Sequence, residues 1–259
     1  IRLCGSVGFM ATVFLAGGWF EHFGMGHFPG WATVTLMAVL ASALWLPDLR
    51  EAQADPRAVA APIGPVLRQP AVRWFFAALF FHVLSHIGMY AFLSLYLDAN
   101  GYSKVMIGVL WAVSVLVEVA WFFWQGRFVD RLSMPRWLVL TGMLTVVRMA
   151  LTAGFPQSLA VLFLAQMMHA LTFAAHHTAC IALVTHHFPG RLRGRGQALF
   201  TVVGYGIAGV AGILVGGGIV ERWGYQAVFA MSSATAVVAT ACAWRFLRLE
   251  QARKAGTSR

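Results

Sequence analysis

Two side chains of opposite charge lie deep within apolar stretches of this sequence. Glu118 occurs in VSVLVEVAWFF and Arg148 in LTVVRMALTA, and the other charged residues lie nearer the ends of such stretches. A charge at the centre of a bilayer costs about 2.5–3.5 kcal/mol, so each side chain is expected to face a cavity or a partner. The pattern fits an ion pair or two groups that hold one polar ligand. A purely structural ion pair is the alternative, although buried pairs stabilise folds only weakly.

A stripe of polar residues predicts a second chemical feature. Its members fall at offsets of 0, 3, 6, 7 and 10 residues, which places them on one face of a helix: Gln166, His169, Thr172, Phe173 and His176. An earlier stretch repeats the pattern with His82, His86 and Tyr90, each one turn after the last. Histidine titrates near neutral pH, so these faces could pass protons, and hydrogen-bonded core histidines are the alternative.

The sequence lacks the motifs of di-iron, phosphate-binding and nucleophilic enzyme sites. The pairs at 82/86, 176/177 and 186/187 superficially resemble membrane di-iron enzymes, but the HxxHH clusters that those enzymes need are absent. There is no phosphate-binding GxxxxGK[ST] loop and no GxSxG nucleophile motif. The three cysteines, Cys4, Cys180 and Cys242, stand alone in apolar runs. We therefore expect no enzyme, no bound metal and no cofactor.

The composition indicates which kind of protein positions these groups. Apolar residues make up 59% of the 259 residues, charged residues make up only 11%, and the mean hydropathy is +0.73. Soluble domains carry about 25% charged residues. The composition therefore excludes a soluble enzyme, a disordered chain and a disulfide-stapled secreted domain.

Eight apolar segments are candidates to cross a membrane. About 20 apolar residues are needed to span ~30 Å of hydrocarbon as a helix. Because the runs are continuous and not alternating, helices are expected and not a strand barrel. The sequence thus predicts an all-α, polytopic transmembrane bundle with these spans: 3–20, 31–47, 74–97, 105–125, 137–153, 158–185, 197–220 and 225–247.

The basic residues predict an orientation. If residue 1 is cytoplasmic, 16 of the 19 basic residues fall in cytoplasmic segments, two fall in outer turns, and Arg148 lies within a span. This distribution follows the positive-inside rule and places both chain ends in the cytoplasm. The net charge of +10 therefore needs no nucleic-acid partner to explain it.

A hydrophilic stretch and an internal echo predict the domain organisation. Residues 48–70 form a cytoplasmic linker between the last two helices of one six-helix bundle (1–47) and a second six-helix bundle with a tail (71–259). GGWFEHFG (17–24) and GGIVERWG (217–224) share four of eight residues, as parallel six-helix repeats would. A common small-residue helix ending is the alternative. A true repeat would place four further helices before Ile1.

Small residues recur at every fourth position of the seventh span. They form a smooth strip that permits close approach of a neighbouring helix: Gly204, Ala208, Gly212 and Gly216. Packing accounts for the strip, and sliding of helices during a conformational cycle is the alternative.

Several segments resemble the major facilitator superfamily, in the branch that contains the lactose and 3-phenylpropionate permeases. The basic loop GRFVDRLSMPR (126–136) resembles the short loop between paired helices of the superfamily. Closer similarity to the branch lies in RLCGSVGF (2–9), SHIGMYAFLSLYL (85–97), GYSKVMIGVLWAVSVLVEV (101–119), QMMHALTFAAHHTA (166–179) and FPGRLRGRGQAL (188–199). The resemblance covers the whole chain in outline and about a quarter of it closely.

The resemblance implies helices five to twelve of a twelve-helix secondary transporter in a bacterial inner membrane. Arg148 and His169 match an arginine and a histidine of the lactose permease's coupling machinery, whereas Thr172 replaces its glutamate. Glu118 is then the remaining acid within the membrane, and His82 and His86 stand where that permease has acidic residues, which disfavours a sugar.

The expected function is therefore proton-coupled symport of a small organic solute, such as an aromatic carboxylate. The lipid bilayer that surrounds the helices is the other expected partner. In this scheme Glu118 and Arg148 couple protons to substrate, His169 and His176 line the path, and Tyr90 or a tryptophan stacks on a substrate ring. Two alternatives remain. One is an exporter of drugs or metabolites, and the other is a membrane sensor built on a transporter remnant.

Overall fold

The computed structural model describes residues 2–46 and 62–257, and within those ranges the chain is helical with no strand. The helices are α1 (Arg2–Phe23), α2 (Phe28–Leu44), α3 (Gly64–Arg68), α4 (Pro70–Ala99), α5 (Lys104–Trp124), α6 (Met134–Gly154), α7 (Leu159–Met167), α8 (His176–His187), α9 (Arg193–Phe200) and α10 (Ala208–Thr257). Short 3₁₀ turns lie at Met25–His27, Gln125–Arg127, Val129–Arg131 and Gly190–Leu192. Two π-helical segments, Ala170–Ala175 and Thr201–Ile207, join α7 to α8 and α9 to α10.

Six helical stretches of the described residues are long and apolar enough to cross a membrane. They are Met25–Leu44, Pro70–Ala99, Lys104–Arg127, Met134–Gly154, Leu159–His187 and Gly190–Gly256. The last is 67 residues long and contains a break at Gly224, so it consists of two rods. The first predicted span is helical as α1 but is not among the six. The expected all-α transmembrane bundle is confirmed, and the chain is an integral membrane protein.

The two copies of the repeated octapeptide end in the same backbone conformation. Gly24 has φ 76° and ψ 167°, and Gly224 has φ 78° and ψ 174°. Glycine adopts this region readily because it has no Cβ. At both positions the glycine interrupts a helical rod and lets the chain begin the next one. This likeness, 200 residues apart, agrees with an internal repeat.

Most of the predicted linker, 48–70, lies outside the described residues. Its described end forms α3, and Pro70 then starts α4, where the first turn has no need of a backbone N–H donor. Helix α1, which precedes the linker in the sequence, packs against helix α5, which follows it. The division into bundles at 48–70 stays a prediction.

Helix α4 is held between the two rods of α10. The small-residue strip packs on one side of α4, with Gly204 against Leu79 and Gly212 against Ile87. On the other side, Gly88 of α4 lies against Ser232 of the second rod. The absence of side chains at these glycines lets the helices approach closely, which is the packing role expected of the strip.

Substitution of Gly212 by valine should destabilise this contact. A Cβ at position 212 would lie 2.7 Å from Cβ of Ile87, whereas a Cβ at Gly209 on the same rod would meet nothing within 4 Å. Overpacking of this kind costs about 1–3 kcal/mol. Thermal unfolding of the detergent-purified protein should therefore occur at a lower temperature for Gly212→Val than for the control Gly209→Val. Equal loss in both variants would contradict this packing.

Candidate functional site

Arg148 of α6 is the centre of a buried polar cluster. Its side chain is 1% exposed. Nη1 donates to Nδ1 of His169 at 3.0 Å and to Oγ1 of Thr172 at 2.9 Å. Nη2 donates to Oε1 of Gln166 at 3.2 Å and to Sδ of Met89 at 2.7 Å. These partners can all be neutral, and in the described part of the chain no carboxylate lies within 4.0 Å of the guanidinium. The positive charge is therefore hydrogen-bonded but lacks an adjacent counterion, which is costly in a protein interior.

His169 connects Arg148 to Glu118. Because arginine only donates hydrogen bonds, Nδ1 of His169 must be the unprotonated acceptor, and the ring hydrogen lies on Nε2. That nitrogen is 3.5 Å from Oε2 of Glu118, whose side chain is 18% exposed. The direct ion pair between Glu118 and Arg148, one of the two arrangements predicted from the sequence, is not formed. An imidazole stands between the two charges instead.

The two histidines of α4, His82 and His86, form a stack with each other and with His176. Nε2 of His82 donates to the backbone carbonyl of Thr172 at 2.8 Å, and Nδ1 of His86 donates to the carbonyl of His82 at 3.0 Å. The rings of His82 and His176 lie face to face, 3.5 Å apart and 3° from parallel. His176 therefore packs on α4.

A π-helical segment interrupts the expected polar stripe before His176. Gln166, His169 and Thr172 all reach Arg148, as their spacing predicts. The π-helical segment Ala170–Ala175 then places more residues in its turn than an α-helix does, so the later residues leave that face. One helix thus presents two polar faces.

Aromatic rings flank the polar cluster. The ring of Tyr90 lies 6.3 Å from that of Trp111 at an interplanar angle of 19°, and 6.1 Å from that of Phe173 at 79°. Phe173 also stacks on His169, with ring centroids 4.9 Å apart. Tyr90 is 39% exposed. These rings offer faces and edges on which a planar ligand group can pack.

Four neighbours of the site were not selected from the sequence: Met89, Trp111, His177 and Tyr205. Two carry a signal that could have found them. Trp111 precedes Glu118 by seven residues, or two turns, and Met89 follows His86 by three, so each shares a face with a selected residue. His177 and Tyr205 follow or lie in the π-helical segments, where α-helical counting gives no such signal.

The described residues contain no group of three or more His, Cys, Asp or Glu side chains that could hold a metal ion. The imidazoles of His82, His86 and His176 form a stack. In it, His82 and His86 each give a ring hydrogen to a backbone carbonyl. The arrangement can therefore bind and orient polar groups.

Comparison with known proteins relates this geometry to transport. The model of the MFS_1 like family matches residues 1–231. A protein of Escherichia coli (strain K12) described as a probable 3-phenylpropionic acid transporter is 29% identical over 122 residues, which are 47% of this chain and 32% of that protein. This chain therefore matches about a third of the length of that curated relative.

Among solved structures, the chain is similar to a mutant of the nucleoside transporter NupG. The TM-score is 0.75 at 18% identity, over 96% of this chain and 66% of the other, so the likeness concerns the fold. Both relatives are described as transporters and not as enzymes. The family match extends over most of the 259 residues, and the chain belongs to the MFS_1 like family, as its resemblance to the major facilitator superfamily predicted.

Proposed function

We propose that this chain is part of a secondary transporter that moves a small aromatic carboxylate together with a proton, by alternating access. The observation that carries the proposal is the buried guanidinium of Arg148, whose hydrogen-bond partners can all be neutral and which has aromatic rings nearby and no carboxylate within 4.0 Å among the described residues. Such a group favours an anion, and the rings favour a planar substituent on that anion. The description of the E. coli relative as a 3-phenylpropionic acid transporter supports the same substrate class.

Arg148 is the proposed carboxylate-binding group. A guanidinium can form two parallel hydrogen bonds to one carboxylate, which a lysine cannot match in geometry. The substrate carboxylate would replace some of the present neutral acceptors of Arg148. Its ring would then lie against Tyr90, Trp111 and Phe173.

His169 is the proposed coupling group. When a proton binds to its ring, both nitrogens carry hydrogen, so Nδ1 can no longer accept from Arg148. The imidazolium is attracted by Glu118 of α5 and repelled by Arg148 of α6. The guanidinium loses one partner and becomes available to the substrate carboxylate. Loss of the proton restores the link to His169 and weakens the hold on the substrate.

This linkage favours symport. A proton that binds His169 or Glu118 and an anion that binds Arg148 neutralise each other's charge in a buried site, where the dielectric constant is low. Each therefore lowers the cost of bringing in the other. We propose that the proton and the substrate anion then cross the membrane together as the two helical bundles rock around the site.

The proposed location is a bacterial inner membrane with both chain ends in the cytoplasm. The supporting observation is the distribution of basic residues, 16 of 19 of which fall in the segments assigned to one side. We also propose that 71–259 is the C-terminal bundle and that 1–47 belongs to the N-terminal one.

Uptake by the purified full-length protein in proteoliposomes tests the function. Labelled 3-phenylpropionate should accumulate when the outside is made acidic, and a protonophore should abolish the accumulation. For one proton per anion, the ratio should reach about tenfold per pH unit. Protein-free vesicles correct for neutral acid that crosses lipid unaided. Uptake no greater than in those vesicles would contradict the proposal for this substrate class.

A further inference from the structure

We propose that Nε2 of His86 accepts a hydrogen bond from a hydroxyl group on the aromatic ring of the substrate. The preferred substrates are then hydroxylated aromatic carboxylates, and His86 is a specificity-determining residue. The inference rests on the proposed function, because Arg148 holds the carboxylate of the same molecule.

The hydrogen bonds of His86 fix which of its nitrogens is available. Nδ1 lies 3.0 Å from the carbonyl oxygen of His82, which can only accept, so the ring hydrogen of the neutral imidazole is on Nδ1. Ser85 donates its hydroxyl hydrogen to the same carbonyl at 2.6 Å and therefore does not compete for Nδ1 as a donor. Nε2 is left with a lone pair at the far end of the ring.

That lone pair has no partner among the described residues. His86 is 2% exposed, and its Nε2 is shielded from solvent with no hydrogen-bond donor in reach. Buried polar atoms are normally paired, and an unpaired one costs about 1–3 kcal/mol. A donor group on a ligand would remove this cost, whereas an apolar group at the same place would not.

The surroundings of His86 suit a small donor attached to a ring. His86 lines a narrow crevice with room for about one water-sized group, which Tyr90, Phe173, His177 and Tyr205 also line. Phe173 and Tyr205 come from the two π-helical segments. Tyr90 is the most exposed of the rings beside the crevice. A hydroxyl fits this space, and the ring that carries it would remain among the aromatic side chains.

The ring of Tyr90 lies between the two polar ends of the site. Its centroid is 6.4 Å from that of His86 and 6.4 Å from that of His169, and His169 accepts a hydrogen bond from Arg148. A molecule with a carboxylate at Arg148 and a ring beside Tyr90 can therefore place a ring substituent near His86.

Competition for uptake of labelled 3-phenylpropionate by the full-length protein tests this subsite. The competitors are the ring-hydroxylated isomers of 3-phenylpropionate and its 4-methyl analogue, which matches the 4-hydroxyl in size without donating. At least one hydroxylated isomer should inhibit at about tenfold lower concentration than the methyl analogue, as expected of one hydrogen bond to a buried, otherwise unpaired acceptor. Equal potency of all competitors would overturn the inference and leave the proposed function intact.

Two substitutions at position 86 sharpen the test. His86→Phe keeps a ring without an acceptor and should bring the inhibitory concentrations of the hydroxylated and methyl competitors together, whatever its own rate of 3-phenylpropionate uptake. His86→Gln keeps an acceptor and should retain part of the preference, and the exposed His27→Phe serves as the control. A preference that survives in His86→Phe would overturn the inference. If His86→Phe does not fold, the inference is tested by the ranking of competitors on the wild type and by the preference that His86→Gln retains. No uptake of any of these acids would contradict the proposed function as well.

Discussion

Uptake of 3-phenylpropionate by the full-length protein should fall about 30-fold or more when Arg148 is replaced by glutamine. Loss of one partner from a buried, hydrogen-bonded charge pair costs about 2–5 kcal/mol, and the substrate carboxylate would lose its partner here. The hydrogen-bond partners of Arg148 can all be neutral, so among the described residues glutamine leaves no charge stranded within hydrogen-bonding reach. The variant should therefore fold, and initial rates of uptake measure the loss.

Two further arginine variants separate charge from geometry. Arg148→Lys keeps the charge but cannot reproduce the planar, two-sided hydrogen bonding, so it should transport more slowly than the wild type and faster than Arg148→Gln. Arg222→Gln removes an exposed arginine and should transport normally. Wild-type rates and half-saturation in Arg148→Gln would remove this residue from substrate binding.

Gradient-driven accumulation should be lost in Glu118→Gln while exchange of substrate across the membrane continues. The glutamine oxygen can still accept from Nε2 of His169, so the hydrogen-bonded geometry is preserved. The negative charge that would stabilise a protonated His169 is gone, so a proton no longer favours release of Arg148. The accumulation ratio should fall from about tenfold per pH unit toward one.

Gradient-driven accumulation and exchange of substrate are both measured on the same vesicles. Counterflow of labelled against unlabelled 3-phenylpropionate, without a pH gradient, should stay within about twofold of the wild type, because each mode reports a different step. Glu221→Gln, at an exposed position, is the matched control. Unchanged accumulation in Glu118→Gln would exclude Glu118 from coupling.

The helices and part of the site could be predicted because they follow from one-dimensional regularities. Apolar runs longer than a bilayer core predicted the helical rods, and spacings of three placed Gln166, His169 and Thr172 on the face that meets Arg148. The buried position of Arg148 followed from its place in an apolar run. None of these inferences required knowledge of which helices are neighbours.

The remaining contacts depend on features that spacing does not encode. The insertion of His169 between Arg148 and Glu118 is set by side-chain reach across three helices, so the sequence predicted an ion pair or two groups on one polar ligand and not an intervening imidazole. The stacking of His176 on His82 depends on the π-helical segment before it, which α-helical spacing does not encode. Helix boundaries also differ, since α4 begins at Pro70 and not at residue 74.

The wide turn at Ala170–Ala175 has a genetic consequence. Loss of a single codon within it would allow a regular α-helix and would turn every later side chain of that rod by about 100°. His176 would lose its stacking on His82 of α4, while Gln166 and His169, on the preceding turns, would keep their hydrogen bonds to Arg148. One small deletion could thus alter the crevice and spare the anion site, so relatives with different substrates could diverge here without rebuilding the part that handles charge.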